Sequence, residues 1–176
     1  KAAARLPALA DLAVLRFNSR GTSSPRGRSE GAFDGGGAER HDVAAAMAFV
    51  RARGLPRPWL VGWSFGTELA LKYGRSHDIE GVILLSPPLH RATEAEVAAW
   101  AHDERQVVVL VPELDDYLRP AEAIARFAAI PHARLIAVDG GRHLWVGETQ
   151  TRRVLDEIVA AVNPSALPLA REWPAS

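Results

Sequence analysis

The feature of this sequence that most constrains its fold is the pentapeptide Gly62-Trp63-Ser64-Phe65-Gly66, which lies between an apolar run and a helical pattern. The apolar run at residues 59–61 predicts a short buried strand, and the residues from Phe65 onward have helical spacing. A serine at the tip of a tight turn from strand to helix is the arrangement of a nucleophile elbow. Such a turn is strained, and a side chain two residues before or after the serine would collide with the backbone. We expect that Gly62 and Gly66 are glycines for this reason. Ser64 then stands clear of the backbone at the carboxyl end of the strand.

Strands and helices alternate along the rest of the chain. Apolar runs predict five strands, at residues 12–17, 59–62, 80–86, 106–111 and 133–138. Helices are predicted at residues 39–53, 65–75 and 150–162, with a short one at 1–10 that Pro7 interrupts. Two more are predicted from their first turns. One begins at a capping box formed by Thr93 and Glu96, and the other begins at Pro120 and carries Ile124 and Phe127. Nearly continuous apolar strands separated by helices indicate an α/β fold, a doubly wound and mostly parallel sheet with helices on both faces. We predict one domain over residues 1–163, with a long solvated loop at 18–38 and a loose C-terminal tail at 164–176.

Composition narrows the classes of function. The chain is 48% hydrophobic and 24% charged, and its 21 basic and 21 acidic residues cancel. This balance gives no electrostatic case for nucleic acid or a membrane surface as a partner, so a small-molecule substrate is the only partner predicted. The absence of cysteine excludes disulfides, thiolate metal sites and cysteine nucleophiles. No signal peptide and no bilayer-length apolar run is evident, so the cytoplasm is the expected location.

An acid and a histidine follow Ser64 in the chain, each directly after a predicted strand. Asp115 and Asp116 come after strand 106–111, and His143 comes after strand 133–138. Functional residues of doubly wound sheets lie past the carboxyl ends of the strands, and serine, acid, histidine is the chain order expected for an elbow serine. Either aspartate is a candidate for the acid, and His143 has the alternative of a surface histidine beside a Gly-Gly turn. The N–H of Phe65, at a helix N-terminus, is a candidate donor to a developing oxyanion.

These residues resemble the α/β-hydrolase superfamily over roughly residues 1–163. Besides the elbow, the resemblance rests on Leu15-Arg16-Phe17-Asn18-Ser19-Arg20-Gly21, on Ser29-Glu30-Gly31 and on the acid segment that ends at Pro120. The segments are similar to a small, capless bacterial branch related to the dienelactone-hydrolase-like group. The resemblance implies Ser64 as nucleophile, Asp115 as acid and His143 as base. It favours Asp115 over Asp116 because the family places an aromatic residue two positions after the acid and a proline slightly beyond.

Other candidate site residues have a functional and a structural interpretation. Trp63 and Trp145 are predicted to line an acyl or leaving-group pocket, with core packing as an equal alternative. His90 follows strand 80–86 and is a candidate substrate contact or a plain loop residue. Glu39, His41 and Asp42 superficially resemble a metal cluster, but acids are favoured in the first turn of a helix by its dipole, so no metal site is predicted. The sequence implies no cofactor.

The sequence departs from the family pattern near its start. The family takes an oxyanion donor from a His-Gly or Gly-Gly loop after an earlier strand, and that strand lies between the strands matching 12–17 and 59–62. Neither has a counterpart here. We expect either an upstream portion that supplies the strand or a sheet that closes up without it, and we favour the first. The connection of about twenty residues between strands 80–86 and 106–111 leaves no room for a lid domain, so we expect an open site.

Two functions from different classes fit the sequence. The first is a serine hydrolase that cleaves small carboxylic esters, with thioesters and amides as further options, through an acyl-enzyme intermediate. The alternative is a catalytically inactive member of the same fold that serves as a binding or scaffold protein. Dehalogenase chemistry is disfavoured because it needs a carboxylate where Ser64 stands.

Overall fold

A computed structural model describes residues 1–25 and 27–172 of the chain. Residues 26 and 173–176, which fall in the predicted polar loop and tail, lie outside the described residues. The helices are α1 (Ala2–Ala10), α2 (Arg40–Ala52), α3 (Phe65–Tyr73), α4 (Glu94–Ala98), α5 (Pro120–Phe127) and α6 (Glu148–Val162). The strands are β1 (Ser23–Ser24), β2 (Gly27–Arg28), β3 (Trp59–Trp63), β4 (Gly81–Leu85), β5 (Gln106–Pro112) and β6 (Arg134–Val138). Short 3₁₀ helices cover Gly74–Ser76, Ala99–His102 and Pro164–Ala166.

Four strands form a parallel sheet in the order β3-β4-β5-β6, and β1 pairs with β2 in a small separate hairpin. The register pairs Trp63 with Leu85 and Leu85 with Leu110, so the carboxyl ends of neighbouring strands lie at one edge. Parallel strands joined by helices confirm the predicted α/β architecture. This edge is where Ser64, Asp115 and His143 emerge.

The sheet has a hydrophobic core on each face, and the period of two along the strands explains the division. In β4, Val82 and Leu84 belong to the core that packs against α2, α3, α4 and α5. Ile83 and Leu85 belong to the opposite core, which packs against α1 and α6. All five residues of β4 are buried because helices cover both faces. The predicted continuous apolar runs therefore match a sheet that is covered on both sides.

The predicted strand at residues 12–17 is wrong. These residues belong to neither sheet and have no regular secondary structure, and Leu15 and Phe17 are exposed. An apolar cavity of about 210 Å³ separates them from β3, with Leu12, Val14, Trp59 and Val61 among its lining residues. The sheet therefore does not close up, and within the described residues β3 is an edge strand. The gap lies where the sequence predicts an additional strand.

The predicted interruption of the first helix at Pro7 is wrong, and the structure shows which face of α5 is buried. Helix α1 continues through Pro7, because Leu6 and Ala10 on either side of it are buried in the core that includes α6. Helix α5 buries Ala123 and Phe127, which are four residues apart on one face, and leaves Ile124 exposed. The Thr93 and Glu96 capping box is confirmed, with both of its hydrogen bonds present.

The polar loop is hydrogen-bonded to the start of α2, and the described part of the tail packs on the domain. The buried carboxylate of Glu39 accepts hydrogen bonds from the backbone N–H groups of Asp34 and Gly36. Arg20 forms an ion pair with Asp42, which fixes the start of the loop to α2. In the described part of the tail Leu169 is buried, so this segment is packed on the domain and is not loose. Among the described residues, no helix has the length and apolar character needed to cross a bilayer.

Candidate active site

Ser64 lies on a tight turn between β3 and α3 in a backbone conformation that few non-glycine residues adopt. Its φ is 52° and its ψ is −122°. The N–H of Ser64 donates to the carbonyl of Leu85 at 2.9 Å, which continues the ladder between β3 and β4 into the turn. The carbonyl of Ser64 accepts from both the backbone N–H and the hydroxyl of Thr67, at 2.9 and 2.7 Å. A strained serine held by hydrogen bonds on both sides is pre-positioned rather than free to relax.

The two glycines of the pentapeptide have different roles. A Cβ atom on Gly62 would lie 2.4 Å from the carbonyl oxygen of Gly66 and 2.6 Å from the backbone nitrogen of Thr67. Helix α3 thus begins against the backbone of β3, and the predicted need for glycine at position 62 is confirmed. The structure gives no such need at Gly66, because a Cβ atom there would meet no atom within 4 Å beyond the adjoining residues and the backbone of its own helix.

The structure brings Ser64, His143 and Asp115 into one hydrogen-bonded chain. Nε2 of His143 lies 2.8 Å from Oγ of Ser64, and Nδ1 lies 3.0 Å from Oδ2 of Asp115. Since an ionised carboxylate only accepts hydrogen bonds, Nδ1 carries the hydrogen and Nε2 is left to accept from the serine hydroxyl. His143 is 7% exposed, so it is not a surface histidine. This arrangement can transfer a proton from Ser64 to His143 during an attack by the serine oxygen.

Asp115, and not Asp116, is the acid in contact with the histidine. Asp115 is 2% exposed, whereas Asp116 is exposed to solvent. Its second oxygen, Oδ1, accepts from the backbone N–H groups of Tyr117 and Leu118 at 2.8 and 3.3 Å. These bonds compensate for the burial of the charge and fix the carboxylate in the orientation that reaches Nδ1.

Two side chains at the ends of neighbouring strands hold the backbone of His143. The indole Nε1 of Trp63 donates to the carbonyl oxygen of His143 at 3.0 Å, and the hydroxyl of Ser86 donates to the same oxygen at 3.2 Å. Sequence reasoning missed the role of Ser86, because a serine at the end of a strand carries no signal of a contact 57 residues away. The sequence predicts that Trp63 contacts substrate. The structure shows that its indole also has a structural role, the hydrogen bond to the backbone of His143.

Under the serine-hydrolase hypothesis of the sequence analysis, we expect Trp63→Phe to lower kcat for a small ester about fivefold and to leave KM within about twofold of the wild-type value. The substitution removes one hydrogen bond to the His143 carbonyl, which is worth on the order of 1 kcal/mol, and keeps an aromatic ring at the site. Steady-state kinetics with a small ester measures both constants. A large rise in KM with kcat unchanged would show instead that Trp63 acts through substrate contact.

The other predicted site residues lie in different environments. Trp145 is buried in the core that includes α6, so the structure favours packing over a pocket role. His90 is exposed. Its ring centroid lies 5.4 Å from that of Tyr117, a residue whose ring also contacts His143. Glu39 and Asp42 are engaged with loop amides and with Arg20. No group of three metal-ligating side chains occurs in the described part of the chain.

A groove runs from Ser64 along the exposed edge of β3. Its volume is about 480 Å³, and its lining includes Leu15, Phe17, Val61 and Phe65. Phe65 is the first residue of α3, so its backbone N–H has no partner within the helix. The serine is therefore reached from an open, largely apolar surface, and no lid covers it within the described residues.

Comparison with known proteins gives structural but not sequence matches. No family model matches the sequence, and a comparison with curated proteins found no match. A structure of an alpha-beta serine hydrolase homologue from Coxiella burnetii matches with a TM-score of 0.69 and 23% identity, over 82% of this chain and 68% of that one. A lidless serine hydrolase from Xanthomonas campestris matches with a TM-score of 0.60 and 24% identity, over 92% of this chain and 67% of that one. The chain has an α/β-hydrolase fold.

A third structure with this fold adds to the comparison. The esterase domain of a Rhodothermus marinus protein matches with a TM-score of 0.59 and 17% identity, over 69% of this chain and 67% of that one. The present chain thus spans about two thirds of the length of all three structures. The α/β-hydrolase fold accounts for the placement of the candidate site, since the turns after β3, β5 and β6 carry Ser64, Asp115 and His143.

Proposed function

We propose that this protein is a serine hydrolase that cleaves small carboxylic esters through an acyl-enzyme intermediate. The observation that carries the proposal is the hydrogen-bonded chain from Ser64 through His143 to Asp115, with distances of 2.8 and 3.0 Å. Each of the three side chains has a distinct chemical role, and a scaffold protein has no physical need for all three. The structural likeness to serine hydrolases and an esterase domain supports the same reaction class.

In the proposed first half-reaction, Oγ of Ser64 attacks the carbonyl carbon of the ester while Nε2 of His143 accepts the hydroxyl proton. The resulting imidazolium is stabilised by the carboxylate of Asp115, which keeps its own negative charge. The tetrahedral intermediate collapses when the bond between carbon and the leaving oxygen breaks, and His143 returns the proton to that oxygen. The alcohol departs, and the acyl group remains on Ser64.

Stabilisation of the oxyanion is proposed to come in part from the N–H of Phe65. This group lies at the N-terminus of α3, where the helix dipole and the unpaired N–H groups favour negative charge. One such donor is worth on the order of 3 kcal/mol of transition-state stabilisation. A substrate carbonyl bound in the groove beside Ser64 would direct its oxygen to this N–H. Thioesters and amides share this chemistry and are further candidate substrates.

Trapping of the intermediate tests the proposal. The protein is mixed with p-nitrophenyl acetate, quenched in acid, and its intact mass is measured. We expect the mass to increase by one acetyl group in the wild-type protein. The control variant Ser165→Ala, which removes an exposed serine outside the candidate site, should show the same increase. Ser64→Ala should show no adduct. An unmodified wild-type protein with no release of p-nitrophenol would contradict the hydrolase and favour a binding role for the same fold.

A further inference from the structure

We infer that Tyr117 is a positioning residue that holds the imidazole of His143 during deacylation. The inference rests on the proposed hydrolase function and adds a residue to it. Tyr117 is 53% exposed, so its ring is not part of either core. No hydrogen bond of its hydroxyl occurs within the described residues. The contacts of its ring and of its backbone therefore account for its place in the site.

The ring of Tyr117 packs against the ring of His143. Their centroids are 4.7 Å apart, and the planes are inclined by 69°, which is an edge-to-face arrangement. Aromatic pairs favour this geometry over a face-to-face stack. The contact limits rotation of the imidazole about its Cβ–Cγ bond, a torsion that is otherwise broad.

The backbone of Tyr117 is tied to the acid of the same site. Its N–H donates to Oδ1 of Asp115 at 2.8 Å, and the next residue, Leu118, is buried in the core. Tyr117 thus contacts Asp115 through its main chain and His143 through its ring. The acid and the ring that restrains the base are held in one short turn.

A second support reaches Tyr117 from the helix that follows the serine. The ring centroid of His90 lies 5.4 Å from that of Tyr117 with the planes inclined by 81°, and the backbone N–H of His90 donates to Oε1 of Glu68 at 2.9 Å. Glu68 is buried in the first turn of α3. The ring of Tyr117 therefore contacts the rings of both His143 and His90, and the backbone of His90 is hydrogen-bonded to α3.

The contact matters most once Ser64 is acylated. In the free protein two hydrogen bonds hold the imidazole, one to Asp115 and one to the hydroxyl of Ser64. Acylation consumes that hydroxyl, so the hydrogen bond to Asp115 remains, together with ring contacts to Tyr117 at 4.7 Å and to Trp63 at 6.4 Å between centroids. In deacylation, water attacks the acyl carbonyl while Nε2 accepts a proton from the water. The bond between the acyl carbon and Oγ then breaks, Oγ takes the proton from His143, and the carboxylic acid leaves.

Pre-steady-state kinetics with p-nitrophenyl acetate separates the two half-reactions. We expect Tyr117→Leu to slow deacylation about three- to tenfold and acylation less than about twofold, given the usual worth of an aromatic pair. Tyr117→Phe should restore the wild-type deacylation rate, because it keeps the ring and loses only the hydroxyl. Thermal unfolding of both variants checks that the fold is retained.

Three outcomes decide the inference. Selective slowing of deacylation in Tyr117→Leu, with restoration in Tyr117→Phe, supports it. Equal slowing of both steps, or a Tyr117→Phe variant as slow as Tyr117→Leu, overturns it in favour of a general structural role or a role for the hydroxyl. A wild-type protein that forms no acyl adduct and releases no p-nitrophenol overturns the proposed function, and the inference falls with it.

Discussion

Ser64→Ala and His143→Ala are each expected to lower kcat for ester hydrolysis by at least about 10³-fold, because they remove the nucleophile and the base of the same proton transfer. Asp115→Asn is expected to lower kcat by about 10²- to 10⁴-fold, since an amide cannot stabilise the imidazolium by charge and can favour the wrong tautomer. Initial rates with p-nitrophenyl acetate measure all three effects. The fold should survive Ser64→Ala, because its hydroxyl has no described partner other than His143.

Combining the substitutions gives a sharper test. Residues that act as a unit are strongly non-additive, so the Ser64→Ala, His143→Ala double variant should be no slower than the slower single variant. Ser165→Ala is the matched control and should keep the wild-type rate. Multiplicative losses in the double variant would mean that Ser64 and His143 act independently, which disagrees with their 2.8 Å contact.

Gly62→Ala is expected to abolish most of the activity, with a loss of at least about 10²-fold, and to destabilise the protein by about 1–3 kcal/mol. The added methyl group would lie 2.4 Å from the carbonyl oxygen of Gly66 and 2.5 Å from its carbonyl carbon. Because these are backbone atoms, the collision cannot be relieved by rotation of a side chain. The first turn of α3 must move from β3, and Ser64 and the N–H of Phe65 move with it. Initial rates and urea denaturation measure the two effects.

Gly66→Ala is the control for that prediction, since both variants add one methyl group to the same pentapeptide. Beyond the adjoining residues and the backbone of the same helix, no atom lies within 4 Å of the new Cβ, and position 66 is in a helix where alanine is favoured over glycine by up to about 1 kcal/mol. We expect its stability to be equal to or above that of the wild-type protein, with activity within about threefold. Equal losses in the two variants would contradict the close approach of helix to strand at position 62.

The parallel sheet was predictable because each of its four strands is an apolar run of strand length. Strand β5, for example, consists almost entirely of valine and leucine, and only a strand covered on both faces uses such a run. Residues 12–17 have a similar local pattern but form no strand. Strand formation depends on a hydrogen-bonding neighbour, and apolar periodicity does not specify whether one exists.

The three central side chains of the site were predictable for a related reason. The elbow motif and the order serine, acid, histidine restrict the choices, and the rule for strand ends places them on one edge. The residues that support them were not predictable. Ser86 and Glu68 act through backbone atoms of distant segments. Tyr117 is the aromatic residue of the acid segment that the resemblance uses, but its ring contact with His143 depends on the path of two loops. Such contacts leave no motif in a single sequence.

The central claim is that Ser64 is an activated nucleophile, and labelling with a fluorophosphonate probe measures this most directly. The probe reacts with a serine only when an adjacent base accepts its proton. We predict a single adduct on the wild-type protein, mapped by peptide mass spectrometry to Ser64, with labelling lost in His143→Ala and retained in Ser165→Ala. A folded wild-type protein that is not labelled, or a label that maps to another residue, would contradict the account.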